Sequence, residues 1–295
     1  MTKKQANLLL ASVSMAWGTS YVFMKLGING LPPLTIVAMR CGIAFIFMAV
    51  IFFKKIAKVD RKTLKYSAVI GALLCGIFIG LLYGVKSTTA SAAGFLTSTT
   101  VIMVPVLQAF ITHKLPSRKI VAGVIAVSSG LVLITGGNIL NFDFGALYCL
   151  LAALLYALHI IVTNRFAKEV DTLQLGIYQL GFSALYAIAG SFIFETPALP
   201  HTSVQWIAVL GLALICSAYG FVVQPVAQRY TTPESTGFLF SLEPIFSGIF
   251  AFVFLKENIG LKGYIGAAFI LAGVFIANFK DDHKKQEELF CHSNP

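Results

Sequence analysis

Charged residues are spaced so unevenly along this chain that they divide it into apolar stretches of helix length. A transmembrane helix needs about 20 predominantly apolar residues to cross a hydrocarbon core about 30 Å thick. Ten such stretches are separated by charges or by turn signals, such as the run Gly30-Leu31-Pro32-Pro33. We predict spans at residues 5–24, 33–53, 66–85, 87–112, 120–135, 144–164, 172–194, 204–224, 235–255 and 263–279. The pattern predicts an all-α integral membrane protein with ten transmembrane helices.

Composition supports this fold class and excludes several others. The 295 residues are 57% hydrophobic and 12% charged, whereas a soluble domain carries about 25% charged residues. A chain this apolar is not a cytosolic globular enzyme, a disordered protein or a small disulfide scaffold. Ten helices would leave about 95 residues for loops and tails, so a separate soluble catalytic domain does not fit. None of the five cysteines stands in a Cys-x-x-Cys pair, and we predict neither a metal site nor a cofactor.

The lysines and arginines between the predicted spans set the orientation in the membrane. If both termini are cytoplasmic, seventeen of them lie on the inner side and four on the outer side, while Arg40 lies inside a span. Cytoplasmic loops carry an excess of positive charge, so we predict a multi-pass protein of the inner (cytoplasmic) membrane with both termini in the cytoplasm. The net charge of +10 then follows from topology and from contact with anionic lipid, and it does not indicate nucleic acid as a partner.

The second half of the chain repeats the first. The register that aligns residues 94–96 with 237–239 gives ten identities over residues 88–130, and we call it the repeat register. We divide the chain into a first repeat at 1–140, a second repeat at 141–279 and a polar cytoplasmic tail at 280–295. Because each repeat holds five spans, an odd number, the two repeats must cross the membrane in opposite directions. Inverted repeats are typical of secondary transporters, which bind substrate near the midplane; a duplicated scaffold without transport is the alternative.

Three ionisable side chains fall inside predicted spans, where such groups are costly and mark function by default. Glu243 either couples proton movement to transport or is a structural acid beside Pro244. Arg40, about one turn from the outer end of the second span, either binds a substrate carboxylate, caps a helix end or pairs with a lipid phosphate. His159 either faces a cavity or is hydrogen-bonded in the core.

Large side chains with polar tips also need partners inside a membrane. We predict a substrate-binding cavity lined by Trp17, Arg40, Tyr83, Tyr156, His159, Tyr219 and Gln224. Such a lining suits a neutral, zwitterionic or amphipathic organic molecule. A second pattern, the two successive small-xxx-small steps of Gly76, Gly80 and Gly84, predicts close helix packing within the bundle. Homodimerisation through this glycine face is the alternative, so monomer and homodimer both stay open.

Several short stretches follow one another along the chain: Trp17-Gly18-Thr19-Ser20 before Lys25, Pro33 before Arg40, residues 224–235 leading into Ser241-Leu242-Glu243-Pro244, and Lys256-Glu257. In this order and spacing they resemble the EamA-type repeat of the drug/metabolite transporter superfamily. The resemblance covers residues 7–278 and implies a ten-helix carrier that exports amino acids, related metabolites or drugs. The first repeat departs from the pattern, because Lys114 aligns with Glu257 and Glu243 has no acidic counterpart.

Together these features predict a secondary active transporter, and not an enzyme, that moves a small organic metabolite by alternating access. Its partners are then the substrate and the lipid bilayer, and export is the expected direction. The chain has no Gly-x-x-x-x-Gly-Lys-Ser/Thr loop, which argues against an ATP-driven pump. Three alternatives stay open: a lipid or sugar-conjugate flippase of the same architecture, a membrane-embedded lipid-modifying enzyme, and a channel.

Overall fold

The computed structural model describes residues 1–113, 118–134, 144–256 and 260–278, and within these ranges it contains helices and no strand. The predicted tail at 280–295 and the aligned pair Lys114 and Glu257 lie outside the described residues. The helices are α1 (Lys3–Gly27), α2 (Pro33–Ile51), α3 (Phe53–Ile56), α4 (Arg61–Ser87), α5 (Ala90–Thr97), α6 (Thr100–Thr112), α7 (Arg118–Ile134), α8 (Phe144–Phe166), α9 (Thr172–Phe194), α10 (Ser203–Gly211), α11 (Phe221–Gln228), α12 (Pro233–Phe240), α13 (Glu243–Leu255) and α14 (Gly260–Asn278). A π-helical segment, Leu212–Gly220, joins α10 to α11. We call the joined unit, Ser203–Gln228, the α10–α11 helix.

Seven helical segments of the described chain are long and apolar enough to cross a membrane. They are Pro33–Ile51, Arg61–Ser87, Ala93–Thr112, Phe144–Phe166, Thr172–Phe194, Ser203–Gln228 and Pro233–Leu255. The chain is therefore an all-helical, multi-pass membrane protein, as the sequence predicts. The other three predicted spans coincide with α1, α7 and α14. They are helical but are not among the seven, so the count of ten stays a prediction.

Polar caps place the beginnings of several helices. An Ncap side chain accepts a hydrogen bond from a backbone N–H of the first turn, which otherwise lacks a partner. Such caps are made by Thr2, Asp60, Asp171, Thr202 and Thr232. The hydrogen bonds that Asp60 receives from Thr63 lower the pKa of the Asp60 carboxyl. These five helices therefore begin at a polar residue that caps the first turn.

The glycine stripe of α4 packs against α8, as the small-xxx-small pattern predicts. A Cβ added at Gly76 would lie 2.9 Å from the Leu155 side chain, and one added at Gly80 would lie 2.9 Å from the Tyr148 carbonyl oxygen. One added at Gly84 would overlap Cys149. The contact is within the chain, so this glycine face is not free to form a dimer. Close approach of the two backbones is the reason that these positions are glycine.

Adding a methyl group at Gly80 is expected to lower stability by about 1–3 kcal/mol, because backbone atoms of α8 would have to move. In Gly80→Ala the new Cβ meets the Tyr148 carbonyl oxygen at 2.9 Å and the Ala152 Cβ at 3.0 Å. The matched control is Gly42→Ala in α2, whose Cβ would make an ordinary 3.8 Å contact with Ala184. Both changes bring the same gain in helix propensity. Thermal unfolding in detergent should show a lower Tm for Gly80→Ala alone, and equal values for both variants would contradict this account.

The fourth and ninth predicted spans are each broken into two helices, which corrects the prediction of continuous ones. Helices α5 and α6 are separated at Ser98 and Thr99, and α12 and α13 at Ser241 and Leu242. Both second halves, α6 and α13, end in a left-handed residue, His113 (φ 53°) and Lys256 (φ 59°) respectively. The repeat register pairs the two breaks with each other and the two left-handed residues with each other. Pro244 follows the break as the second residue of α13, where its missing N–H costs no helical hydrogen bond.

Candidate functional site

A small cavity lies where the two broken helices meet between α1 and α8. Its volume is about 10 Å³, roughly enough for one water molecule. Both helix breaks contribute to its wall, as do the large side chains of α1 and α8. The lining residues are Tyr21, Gly94, Thr97, Ser98, Thr100, Val101, Tyr156, Gly237, Phe240, Ser241 and Glu243. The centre of the bundle is therefore polar and closed in this conformation.

Glu243 supplies the carboxylate of this central cavity. It is the first residue of α13 and is only 7% exposed, and the positive end of the helix dipole favours negative charge there. The Tyr21 hydroxyl donates a hydrogen bond to Glu243 Oε1 at 2.8 Å. At the equivalent position of the first repeat, the Thr100 hydroxyl donates to the Thr97 and Ala153 carbonyls at 2.7 Å and 3.1 Å. The second repeat therefore places a carboxyl group, Glu243, where the first repeat places the neutral hydroxyl of Thr100.

Trp17 supports the cavity from behind and does not line it. Its indole ring packs against the rings of Tyr156, Phe221 and Phe240, with centroids 5.8 Å, 4.5 Å and 4.7 Å away. Its Nε1–H donates to the Cys216 carbonyl oxygen at 2.8 Å, so its polar tip has a partner. Tyr156 does line the cavity, and its hydroxyl has no partner among the described residues. The Tyr156 hydroxyl therefore has an unused hydrogen-bonding capacity among the described residues, and the Trp17 ring packs against the Tyr156 ring.

Arg40 is buried, and no carboxylate of the described residues pairs with it. It lies seven residues after Pro33, about 10 Å along α2, which is two turns into the helix rather than the one predicted. It is 1% exposed, its Nε donates to Ser217 Oγ at 3.0 Å, and its guanidinium carbon lies 3.8 Å from the Phe78 ring centroid. Its Nη1 has no hydrogen-bond partner in the described part of the chain. The salt bridge of the described residues is elsewhere, between Lys62 and Glu169. A buried guanidinium with a free edge is suited to a carboxylate.

His159 and Gln224 lie in the interior, between the central cavity and the end of α8. His159 Nε2 shares a 2.9 Å hydrogen bond with Gln179 Oε1, and Gln179 Nε2 donates to the Phe221 carbonyl at 2.7 Å. The other ring nitrogen, His159 Nδ1, has no partner among the described residues. Gln224 is fully buried, and neither its Oε1 nor its Nε2 has a hydrogen-bond partner among the described residues. Both predicted residues thus present unused polar atoms inside the bundle.

Tyr83 and Tyr219 lie away from the central cavity. The Tyr83 hydroxyl donates to Glu195 Oε1 at 3.4 Å, and its ring lines a separate open cleft of about 660 Å³ between α2, α4, α8 and α9. Tyr219 is 38% exposed, and its hydroxyl shares a 2.7 Å hydrogen bond with Ser12. The predicted set therefore divides into an interior group and these two peripheral tyrosines.

At each end of the bundle one side chain donates hydrogen bonds to two backbone carbonyls, and we call each such group a clasp. We call the end with the start of α1 the N face and the other end the opposite face. On the opposite face, Lys25 Nζ donates to the carbonyls of Val85 and Thr88 at 3.1 Å and 2.8 Å. On the N face, Asn164 Nδ2 donates to the carbonyls of Gln228 and Thr231 at 2.8 Å and 2.9 Å. The repeat register pairs the two sets of acceptors, so the clasps occupy equivalent places in the two repeats.

Sequence reasoning missed Tyr21, the two serines at the helix breaks, and Asn164. The repeat register held a signal for the serines, because it pairs Ser98 with Ser241 as identical residues. Tyr21 carries no such mark, since only the fold brings it to Glu243. By residue type, Arg165 is the basic residue near the end of α8 that corresponds to Lys25 near the end of α1, whereas the structure gives the equivalent role to Asn164. The two assignments differ by a single step along α8.

Comparison with known proteins agrees with this architecture. The family model described as the EamA-like transporter family matches twice, at residues 4–136 and 143–279. The uncharacterized transporter YoaV of Bacillus subtilis is 28% identical over 287 residues, covering 94% of this chain and 97% of that protein. An uncharacterized transporter of Archaeoglobus fulgidus is 28% identical over 292 residues, covering 94% and 98%. A solved crystal structure has a similar fold, with a TM-score of 0.75 over 93% of this chain and 96% of its own, at 18% identity. The chain belongs to the EamA-like transporter family.

Proposed function

We propose that this protein is a secondary active transporter that moves a small organic metabolite across the cytoplasmic membrane by alternating access. The observation that carries the proposal is the pair of clasps at opposite ends of the bundle, with a closed polar cavity between them. A carrier must close both ends before it opens either one. Equivalent bonds in inverted repeats provide a physical basis for this exchange, because each repeat adopts in turn the conformation of the other.

Helix packing supports two inverted five-helix repeats, at residues 1–140 and 141–279. In such an arrangement, every contact between the repeats has a counterpart in which the roles are exchanged. Helix α4 packs on α8, and the α10–α11 helix packs on α1 in the same way. The last helices of the repeats, α7 and α14, pack on each other, and so do the second ones, α2 and α9. These pairs favour ten spans. The excess of lysine and arginine between spans on that side favours a cytoplasmic N face.

The interior residues suggest roles in binding and coupling. Arg40 presents a free Nη1 inside the bundle and would bind the carboxylate of a substrate. Glu243, with its single bond from Tyr21, would exchange a proton as the substrate passes. Tyr156, His159 and Gln224 would complete the lining with neutral polar groups. An amino acid or a related carboxylated metabolite fits this set, and export is the direction we propose.

A lipid flippase is the second candidate, and the cleft beside Tyr83 favours it. The cleft measures about 660 Å³, and most of its lining residues are apolar. A space of that kind among membrane-spanning helices suits an acyl chain. The two candidates differ in what crosses the membrane: a small polar solute through the centre, or a lipid along the outside of the bundle.

Reconstitution of the full chain into proteoliposomes distinguishes the two candidates. Vesicles loaded with an unlabelled mixture of amino acids should accumulate labelled amino acid by counterflow, and the rate should saturate with external concentration. Vesicles without protein are the control for leakage, and a rate that does not saturate would indicate a channel. Translocation of labelled phospholipid, with no amino acid counterflow, would replace the metabolite carrier by the flippase.

A further inference from the structure

We infer that a buried polar seam between α8 and α11 is a hydrated path that connects the central cavity to the N face and carries water and the polar groups of the substrate. The polar seam consists of Tyr156, His159 and Thr163 on α8 and Gln224 and Gln228 on α11. This inference rests on the proposed transport function and deepens it, because it assigns one half of the route.

The spacing of these residues places each set on one side of its helix. Positions 156, 159 and 163 are three and four residues apart, and positions 224 and 228 are four apart, so each set forms one stripe. Contacts across the interface join the stripes: Gln228 Nε2 donates to the Ile160 carbonyl at 3.5 Å, and the His159 ring packs edge-on against Phe221. The seam begins at the central cavity, which Tyr156 lines. It ends at the clasp that Asn164 makes with the Gln228 carbonyl.

The seam carries buried polar atoms that have no hydrogen-bond partner among the described residues. All five side chains are at most 5% exposed. Without a partner among the described residues are Tyr156 Oη, His159 Nδ1, Thr163 Oγ1, Gln224 Oε1, Gln224 Nε2 and Gln228 Oε1. A buried polar group without a hydrogen bond costs about 1–3 kcal/mol. Six such atoms along one interface are better explained by water or solute than by packing, since buried polar groups of native proteins otherwise find partners.

The neighbouring buried groups show that the seam is a local exception. Ala157 and Ala227, on the same two helices, are fully buried and apolar. Gln179 and Asn164 are polar, and both have protein partners for their side-chain amides. Unsatisfied polar atoms are thus concentrated in the stripe between the cavity and the N face.

The equivalent interface of the first repeat is apolar at three of the five positions. The repeat register pairs Gln224 with Leu81 and Gln228 with Val85, and the register that superposes the two clasp residues pairs Thr163 with Met24. These counterparts are buried between α1 and α4, on the way to the opposite face. The register of the clasp residues also pairs Tyr156 with Trp17 and His159 with Ser20, so the counterpart interface is less polar without being wholly apolar. The route towards the N face is therefore the more polar of the two.

Cysteine accessibility tests this inference with matched positions. In a background where all five native cysteines are replaced, single cysteines are placed at Thr163, Gln224 and Gln228, and at the counterparts Met24, Leu81 and Val85. A membrane-impermeant methanethiosulfonate reagent is added from either side of oriented vesicles, without substrate. Seam cysteines should react at least about tenfold faster than their counterparts, equivalent to about 1.4 kcal/mol, and only from the N face. Equal rates in the two sets would overturn the inference.

A double variant keeps the test decisive if a cysteine disturbs folding. In Gln224→Leu/Gln228→Leu, apolar side chains of similar size replace both glutamines. If the seam were only structural, this change would leave counterflow unaltered. We expect an unchanged or higher Tm together with at least tenfold slower counterflow. The labelling does not depend on transport, so an absence of counterflow in the parent would refute the carrier and leave the seam result standing.

Discussion

Replacing Glu243 with glutamine is expected to abolish the part of transport that depends on a pH gradient. Glutamine keeps the size of the side chain and an oxygen that accepts the hydrogen bond from Tyr21. It fixes this position in a neutral form, so the site no longer gains a proton at one face and loses it at the other. Exchange of substrate between equal concentrations, which needs no net proton movement, should continue.

The measurement is uptake by proteoliposomes with and without an imposed pH difference. Wild-type protein should transport faster with the gradient, and Glu243→Gln should give the same rate in both conditions. Glu234→Gln is the matched control, because Glu234 lies in the first turn of α12 and does not line the central cavity. An undiminished response to the gradient in Glu243→Gln would show that this acid is structural.

Tyr21→Phe separates the carboxyl from its hydrogen bond. The change removes the donor at 2.8 Å and leaves the acid in place. We expect the response to the gradient to persist, with its pH profile displaced towards higher pH, because a hydrogen bond to the charged form of a carboxyl favours that form. An unchanged profile would mean that this bond does not tune the acid.

The helices were predictable where local chemistry decides their ends. The seventh predicted span, 172–194, coincides with α9, because Asp171 caps its first turn and Glu195 and Pro197 follow its last. The breaks of the fourth and ninth spans were not predictable in this way. At the first break, the hydroxyls of Thr97 and Ser98 bond to carbonyls one turn earlier, a competition that many intact helices tolerate.

The types of residue in the site could be predicted from the sequence. The side of the helix on which each residue lies was harder to predict. Hydropathy identified Arg40, His159 and Glu243 as polar groups inside spans, and all three are buried. It could not show which side of a helix each residue occupies. Tyr219 illustrates the reason: it lies in the π-helical segment, where i→i+5 hydrogen bonding alters the rotation per residue. Tyr83 illustrates another reason, because tyrosine side chains line both the open cleft and the central cavity, and hydropathy does not distinguish the two.

Replacing Arg40 with glutamine is expected to weaken binding of a carboxylated substrate by roughly 10- to 150-fold. A hydrogen bond to a charged group contributes about 1.5–3 kcal/mol, and each 1.4 kcal/mol is a factor of ten in affinity. The Arg40 guanidinium would supply this hydrogen bond, because its Nη1 has no partner among the described residues. Arg40→Lys keeps the charge and loses the planar fork, so its affinity should lie between those of wild type and Arg40→Gln.

Stability separates this role from a structural one. Removing one member of a buried ion pair is strongly destabilising, because it leaves the other charge unpaired. Arg40 has no carboxylate partner in the described part of the chain, and its protein contacts are Ser217 Oγ at 3.0 Å and the Phe78 ring. Glutamine can still donate to the serine, so Arg40→Gln should keep a Tm close to that of wild type.

A substrate and its methyl ester provide the matched comparison for Arg40. The ester keeps the size of the ligand and lacks the negative charge, so wild type should bind it more weakly than the acid. Arg40→Gln should bind acid and ester with similar affinity, because the group that distinguishes them is gone. If the variant still prefers the acid by the wild-type ratio, the carboxylate is bound elsewhere. If it loses affinity for both ligands and its Tm falls, Arg40 acts through the packing of α2 against the π-helical segment.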